Sequence, residues 1–420
     1  MTRRRSGFLD SGHMPTLVAA LLYFDVSFMT WVLLGPLAPF LRDEFGLTAT
    51  QQGLLTAVPL LGGSLFRPVL GILGDHVGGR RAGLIGLGLT LVALLTGWKA
   101  GHAALALYGV AFMLGIAGAS FAVALPLASR WYPPEHQGLA MGIAGAGNSG
   151  TLLATLLAPR VAERFGWANA FGFAMLPVAV VLIVFALMAR DSPKQGLPPR
   201  ARDYAALLSE TDTLWLAGLY CLTFGGFVGF SSFLTTFFYE QYHMSRVAAG
   251  DFTTVAVVAG SLLRPFGGWL SDRIGGYRLL VLLLGGFAVC LAVLAAASSR
   301  FVSLAILFAG MGLLGMGNGA IFQMAPQRFP DRMGIVTGIV GAAGGLGGFC
   351  LPTLFGASKD ATGGYTVALL LLAGVFAAGT IALLEAGIRW SQRWSSDAVR
   401  QSGVYAYRPI TQPQAAEDVA

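Results

Sequence analysis

The chain reads as an all-α integral membrane protein, with twelve transmembrane helices in two pseudo-symmetric bundles of six. Three observations predict this. Hydrophobic residues make up 55% of the 420 and charged residues only 11%, against about 25% charged in soluble domains. Apolar runs of bilayer-crossing length, about 20 residues, recur from Pro15 to Trp390. One motif also occurs twice. RPVLGILGDHVGGRR at 67–81 returns as RPFGGWLSDRIGGYR at 264–278, 197 residues later, as two homologous halves require.

Residues 1–14 form a short basic tail. The first apolar run, 16–41, is too long for a secretory signal and lacks a cleavage site, so it reads as a permanent span; it carries Asp25. The second, 49–73, holds Arg67, and the third and fourth lie at 82–100 and 103–129. The stretch ASRWYPPEHQGLAMGI at 128–143 then leads into a glycine-rich fifth span, 138–160, and the sixth covers 166–189. Residues 190–211, RDSPKQGLPPRARDYAALLSET, are the one long polar connection. Its prolines, charge and central position mark a boundary between bundles at 15–189 and 212–390. The second bundle has spans at 212–239, 247–271 (with Arg264), 279–299, 302–325, 333–357 and 365–388, and a polar tail at 391–420. Here APQRFPDRMGIVTGI at 325–339 leads into GIVGAAGGLGGFCLP at 338–352, matching the earlier passage into GIAGAGNSGTLLATLLAP at 142–159. The 58 glycines would weaken soluble helices. In a membrane bundle they let helices approach closely and slide, and their concentration in one corresponding helix of each half points to a moving contact.

Charge placement sets the orientation. With a cytoplasmic N-terminus, 18 of the 27 Lys and Arg fall on the cytoplasmic side, Arg3, Arg4, Arg5, Lys194 and Arg200 among them; 7 fall outside and 2 lie within spans. That is the positive-inside bias, so the net charge of +7 reports topology. A nucleic-acid partner would need a clustered basic surface with aromatics, which the chain lacks. Cys221, Cys290 and Cys350 all fall inside predicted helices, and His13, His76, His102, His136 and His243 are scattered. No disulfide framework or metal site is expected. GAGNSG at 145–150 matches the dinucleotide fingerprint in letters only, because that fingerprint needs a strand before it and a soluble helix after it. No enzyme and no cofactor is expected.

The two intramembrane arginines carry the functional signal. A guanidinium near the bilayer centre costs at least about 2.5–3.5 kcal/mol, so it should face a partner, a cavity or a substrate. Two such charges, one from each half, suit a small anion.

The loop GDHVGGRR after the second span resembles the signature loop of the major facilitator superfamily, with Asp75, Arg80 and Arg81 at its acidic and basic positions. His76 departs from that pattern, whereas Asp272 and Arg273 keep it in the second copy. Such charges can pair in one conformation and separate in another, a gating role. More narrowly, the whole set of spans resembles the nitrate/nitrite porter family. The glycine-rich helices at 142–150 and 338–348 look like its paired signatures, LYCLTFGGFVGFSSF at 219–233 like its seventh-span motif, and GNGAIFQMAPQRF at 317–329 like its tenth. The resemblance implies that Arg67 and Arg264 grip the anion from opposite halves. Asn148 would offer an amide and Tyr220 a phenol, and Phe121 and Phe224 would sandwich a flat ion. Nitrate is planar and weakly hydrated, with oxygens suited to the planar donor fork of arginine. Asp25 resembles a feature of the proton-coupled branch, and an intramembrane carboxylate can relay protons.

The expected function is therefore secondary transport of nitrate, and of nitrite, across a bacterial-type inner membrane, by a monomer with both termini cytoplasmic. Proton-coupled uptake is favoured. The rivals are nitrate/nitrite exchange, carriage of another small anion, and a sensor that binds nitrate without moving it.

Overall fold

The structure, a computed structural model, describes residues 8–100, 103–193, 201–329 and 332–404. Arg3, Arg4, Arg5, His102, Lys194, Arg200 and the tail beyond 404 lie outside the described residues. Among those described, eleven segments are long and apolar enough to cross a membrane. They are Met14–Phe45, Ala49–Val77, Gly79–Lys99, Ala104–Ser129, Trp167–Met188, Thr211–Tyr242, Arg246–Ile274, Gly276–Ala295, Arg300–Arg328, Met333–Thr362 and Thr366–Arg393. Short helices at Ala201–Leu208 and Ser396–Ser402 lie in the central connection and after the last span.

Most helices run a few residues past the apolar stretch that predicts them, because backbone hydrogen bonding continues into the polar boundary. Their ends are set by local chemistry. Thr48 and Gln51 form a capping box at the start of the second span, satisfying two otherwise unpaired donors. Gly46 ends the first span at φ 60°, a left-handed geometry that only glycine adopts without strain.

The expected fifth span is the exception. It is built from Pro134–Gly145, a 3-10 turn at Ala146–Ser149, and Gly150–Phe165. The break falls within GAGNSG. Glycine holds a helix poorly, and here the first span presses against the break: a Cβ on Gly150 would lie 1.9 Å from the Asp25 carbonyl oxygen.

Two further spans of the first half are interrupted. The first is split into Met14–Trp31 and Leu34–Phe45, two residues ahead of Pro36, which has no N–H to give. The fourth is split into Ala104–Gly118 and Phe121–Ser129. At that break the Ala122 N–H turns to Ala119 O at 3.0 Å, which releases the Gly118 carbonyl from the helical ladder. The seventh, tenth and eleventh spans, their counterparts in the second half, each run as one helix.

Candidate functional site

Arg67, on the second span, is 1% exposed. Its Nε donates to the released Gly118 carbonyl at 3.0 Å, and its Nη1 donates to Gly341 O on the eleventh span. The second contact crosses from one half to the other. Nη2 has no hydrogen-bond partner. Aromatic rings enclose the guanidinium, with centroids at 5.0 Å (Trp31), 5.3 Å (Phe121) and 5.2 Å (Phe224). Each ring face is attractive to the cation, which offsets part of its desolvation. Trp31 is fixed by its own Nε1 donating to Pro59 O at 2.7 Å.

Arg264, on the eighth span, is 7% exposed, and its Nη1 has no partner. It lies within electrostatic reach of Arg67. Its guanidinium carbon is 3.6 Å from where a Cβ would stand on Gly145, so the second half's arginine lies against the fifth span of the first. The Tyr220 phenol is within electrostatic reach of both guanidinium groups and lies beside that of Arg264. Tyr220 and Phe224 stack at 4.9 Å and 7°. The eleventh span reaches them only because Gly344 has no side chain: a Cβ there would sit 2.7 Å from the Tyr220 ring and 2.8 Å from that of Phe224. Phe121 and Phe224 face each other across the halves at 6.5 Å and 43°; in this conformation they flank the Arg67 guanidinium.

Asn148 occupies the 3-10 turn and is fully buried. With its amide oriented to suit its neighbours, the nitrogen donates to Gly145 O at 3.3 Å and Ala146 O at 3.2 Å, so it serves its own turn. The Asp25 carboxylate accepts from Ser149 Oγ at 2.6 Å, which ties the first span to the same break.

Asp75 and Arg80 of the signature loop tie the first half together at the end where the described residues begin and stop, near 8 and 404. Asp75 pairs with Arg130 at 2.7 Å. The Arg80 backbone N–H donates to Asp191 Oδ1 at 2.9 Å, and its Nη2 donates to Ala186 O at 2.7 Å. Arg81 is exposed. In the second copy Asp272 is exposed, and Arg273 lies over Trp269 at 4.0 Å. There Arg328 turns to Asp212 and Glu210 instead, each at 2.5 Å.

The polar contacts that join the halves among the described residues gather at the centre and the opposite end. Glu240 takes Arg42 from the first half and the Tyr365 hydroxyl (2.6 Å) from the second. Burial, and next the Glu240 charge, raise the Tyr365 phenol far above its usual range, so it remains a donor. Asp360 accepts from the backbone N–H groups of Ala49 (3.0 Å) and Thr50 (2.8 Å), a carboxylate at a helix N-terminus. Asp43 pairs with Arg246, Arg160 with Asp251 at 2.7 Å, and Gln52 donates to Thr236 at 3.2 Å. The structure is thus closed at the end opposite the Asp75 loop.

Sequence reasoning missed Trp31, Gly118, Gly341 and Asp191. Trp31 is one aromatic in an apolar run, and the two glycines act through carbonyls that carry no side-chain signal. Asp191 had a signal: it is an acid immediately after a span that ends beside the Arg80 loop.

The family model of the major facilitator superfamily matches residues 19–352 and 216–389. The chain is 37% identical over 378 residues to a probable nitrate/nitrite transporter, NarK2, of Mycobacterium tuberculosis, covering 86% of this chain and 93% of that one. It is 30% identical over 381 residues to a nitrite extrusion protein of Bacillus subtilis, covering 89% and 94%. Among solved structures, a D-xylose-proton symporter superposes with a TM-score of 0.72 over 92% of this chain and 98% of that one; at 16% identity it speaks for the fold alone. The twelve-span architecture of paired six-helix bundles is therefore that of a transporter, and the chain belongs to the nitrate/nitrite porter family of the major facilitator superfamily.

Proposed function

We propose that this protein is a secondary carrier of nitrate and nitrite, working by alternating access in the bacterial inner membrane with both termini in the cytoplasm. One observation carries the reading. Buried arginines from opposite halves approach one another, each with an orphaned guanidinium nitrogen, beside the Tyr220 phenol and within aromatic walls. Unpaired donors in a dry, cationic centre favour a small oxyanion over a neutral solute. The units that rock are 15–189 and 212–390, linked by 190–211, and a single chain suffices because each half brings one arginine. The closed end then faces outward.

Counterflow in proteoliposomes tests this. Vesicles preloaded with nitrate should transiently accumulate labelled nitrate, and external nitrite but not sulfate should compete. No counterflow by inserted protein would rule out carriage and leave the sensor reading.

Proton-coupled uptake is the favoured mode. An anion entering against an interior-negative potential costs about 2.3 kcal/mol per charge per 100 mV, so uptake needs a co-ion or an exchanged anion. Asp25 is the proposed proton carrier, with Ser149 on the broken fifth span as its contact. Nitrate uptake should acidify the receiving compartment, and Asp25→Asn should stop net uptake while sparing exchange. Exchange is the second reading, supported by the relative named a nitrite extrusion protein. Uptake that ignores the proton gradient and requires internal nitrite would establish it.

A further inference from the structure

The tenth span holds a fully buried amide that the family signature leaves without a job. Asn318 is 0% exposed, and neither its Nδ2 nor its Oδ1 has a hydrogen-bond partner. A buried amide that pairs with nothing costs several kcal/mol at the extreme, so native proteins satisfy nearly all of them.

Its neighbours locate it. A Cβ on Gly317 would lie 2.8 Å from Thr223 Cγ2 on the seventh span, and a Cβ on Gly319 would lie 2.6 Å from the Arg264 carbonyl oxygen on the eighth. Asn318 therefore sits where the tenth span meets the two helices that carry Tyr220 and Arg264. Helical spacing puts it on the same face as Phe322, one turn on. Phe322 meets Tyr220 at 5.2 Å and, across the halves, Phe121 at 6.0 Å. The face that carries Asn318 is thus the face turned to the centre of the molecule. The Thr223 hydroxyl and Arg264 Nη1 lack partners as well, and the Tyr220 hydroxyl lies beside Arg264.

We infer that Asn318 is a further substrate-positioning residue: its amide nitrogen donates to an oxygen of the bound anion, and its amide oxygen accepts from the hydroxyl of Thr223 or Tyr220. The inference rests on the carrier reading above. It differs from the expectation for Asn148, whose amide serves its own turn. The chemistry fits an oxyanion, which has only acceptors to offer and so meets the nitrogen, while a neighbouring hydroxyl supplies the donor that the oxygen needs.

The test is sodium nitrate binding to purified full-length protein, read as thermal stabilisation at constant ionic strength, together with counterflow. Asn318→Ala should weaken nitrate binding about tenfold or more, in line with loss of a hydrogen bond to a charged group. Without nitrate it should unfold at no lower a temperature than wild type, because two unpaired groups are removed. A purely structural amide would do the reverse: an earlier unfolding transition with unchanged nitrate affinity, which overturns the proposal. Asn318→Asp keeps the shape, removes the donor and sets a like charge against the anion. It should abolish nitrate stabilisation even if the alanine variant misfolds. Affinity within twofold of wild type in either folded variant overturns the proposal, as does failure of both variants to fold. If wild type itself shows neither nitrate stabilisation nor counterflow, the carrier reading falls with it.

Discussion

The two halves present the same arginine on the same motif and hold it in different ways. Arg67 is anchored by the carbonyls of Gly118 and Gly341 and by three aromatic rings. Arg264 lies beside Gly145 and keeps Nη1 unpaired. The asymmetry follows from the backbones around them. In the first half the interrupted fourth span releases the carbonyl that Arg67 takes, whereas the tenth span is unbroken. The signature-loop ends differ too: Asp75 pairs with Arg130, while its copy Asp272 is exposed and Arg328 goes to Asp212. A sequence repeat therefore preserves the charge at a position, not the partner that charge finds.

The largest effect should come from separating the two arginines. Arg67→Lys keeps the charge but loses the planar fork, and it strands the buried Gly118 carbonyl at about 1–3 kcal/mol. It should cut nitrate uptake by about a hundredfold or more and also lower the unfolding temperature. Arg264→Lys should cut uptake comparably with little effect on unfolding. Equal destabilisation by both variants would show that the asymmetry has no energetic weight.

Next is Gly344→Ala. The added methyl must displace the Tyr220 or Phe224 ring, an overpacking cost of about 1–3 kcal/mol. Uptake should fall about tenfold or more while Gly338→Ala, in open space on the same helix, is tolerated. A milder change is Phe224→Ala, which removes one wall of the Arg67 enclosure. Bulkier oxyanions such as chlorate should then compete more strongly against nitrate. An unchanged competition profile would assign Phe224 to packing.

The smallest effects lie at the closed end. The Glu240 side chain is 9% exposed, and that of Asp43 is 47% exposed. Glu240→Gln should shift the balance toward opening by about 1–2 kcal/mol, read as faster alkylation of a reporter cysteine beneath the gate. Asp43→Asn breaks an exposed pair and should change the balance by less than about 1 kcal/mol. A larger effect from Asp43 would move the latch to the Arg246 side.

Much of the site was legible because bilayers punish charge. Arg67 and Arg264 stand out in apolar runs, and Phe224 follows Tyr220 by one helical turn. The breaks were harder to read. GAGNSG carries a glycine signal, but the fourth span's interruption at Ala119–Ser120 has none beyond small residues, and Pro36 only hints at the first. Span ends beyond the apolar stretches, such as Lys359 to Thr362, were lost because helical hydrogen bonding outlasts hydropathy.

What the sequence by itself determined is the number and order of spans, the two-half repeat, the buried pair of arginines and the family. Each is written locally, since a span must be apolar along its own length and a repeat must recur in its own letters. What only the tertiary structure decided is which groups those arginines meet, which spans break, and which end is shut. Arg67 and Gly341 are 274 residues apart, and Asp360 meets Thr50 across 310. Such contacts exist only after the helices pack, because a backbone carbonyl or a glycine's missing side chain gains its meaning from what the fold brings against it.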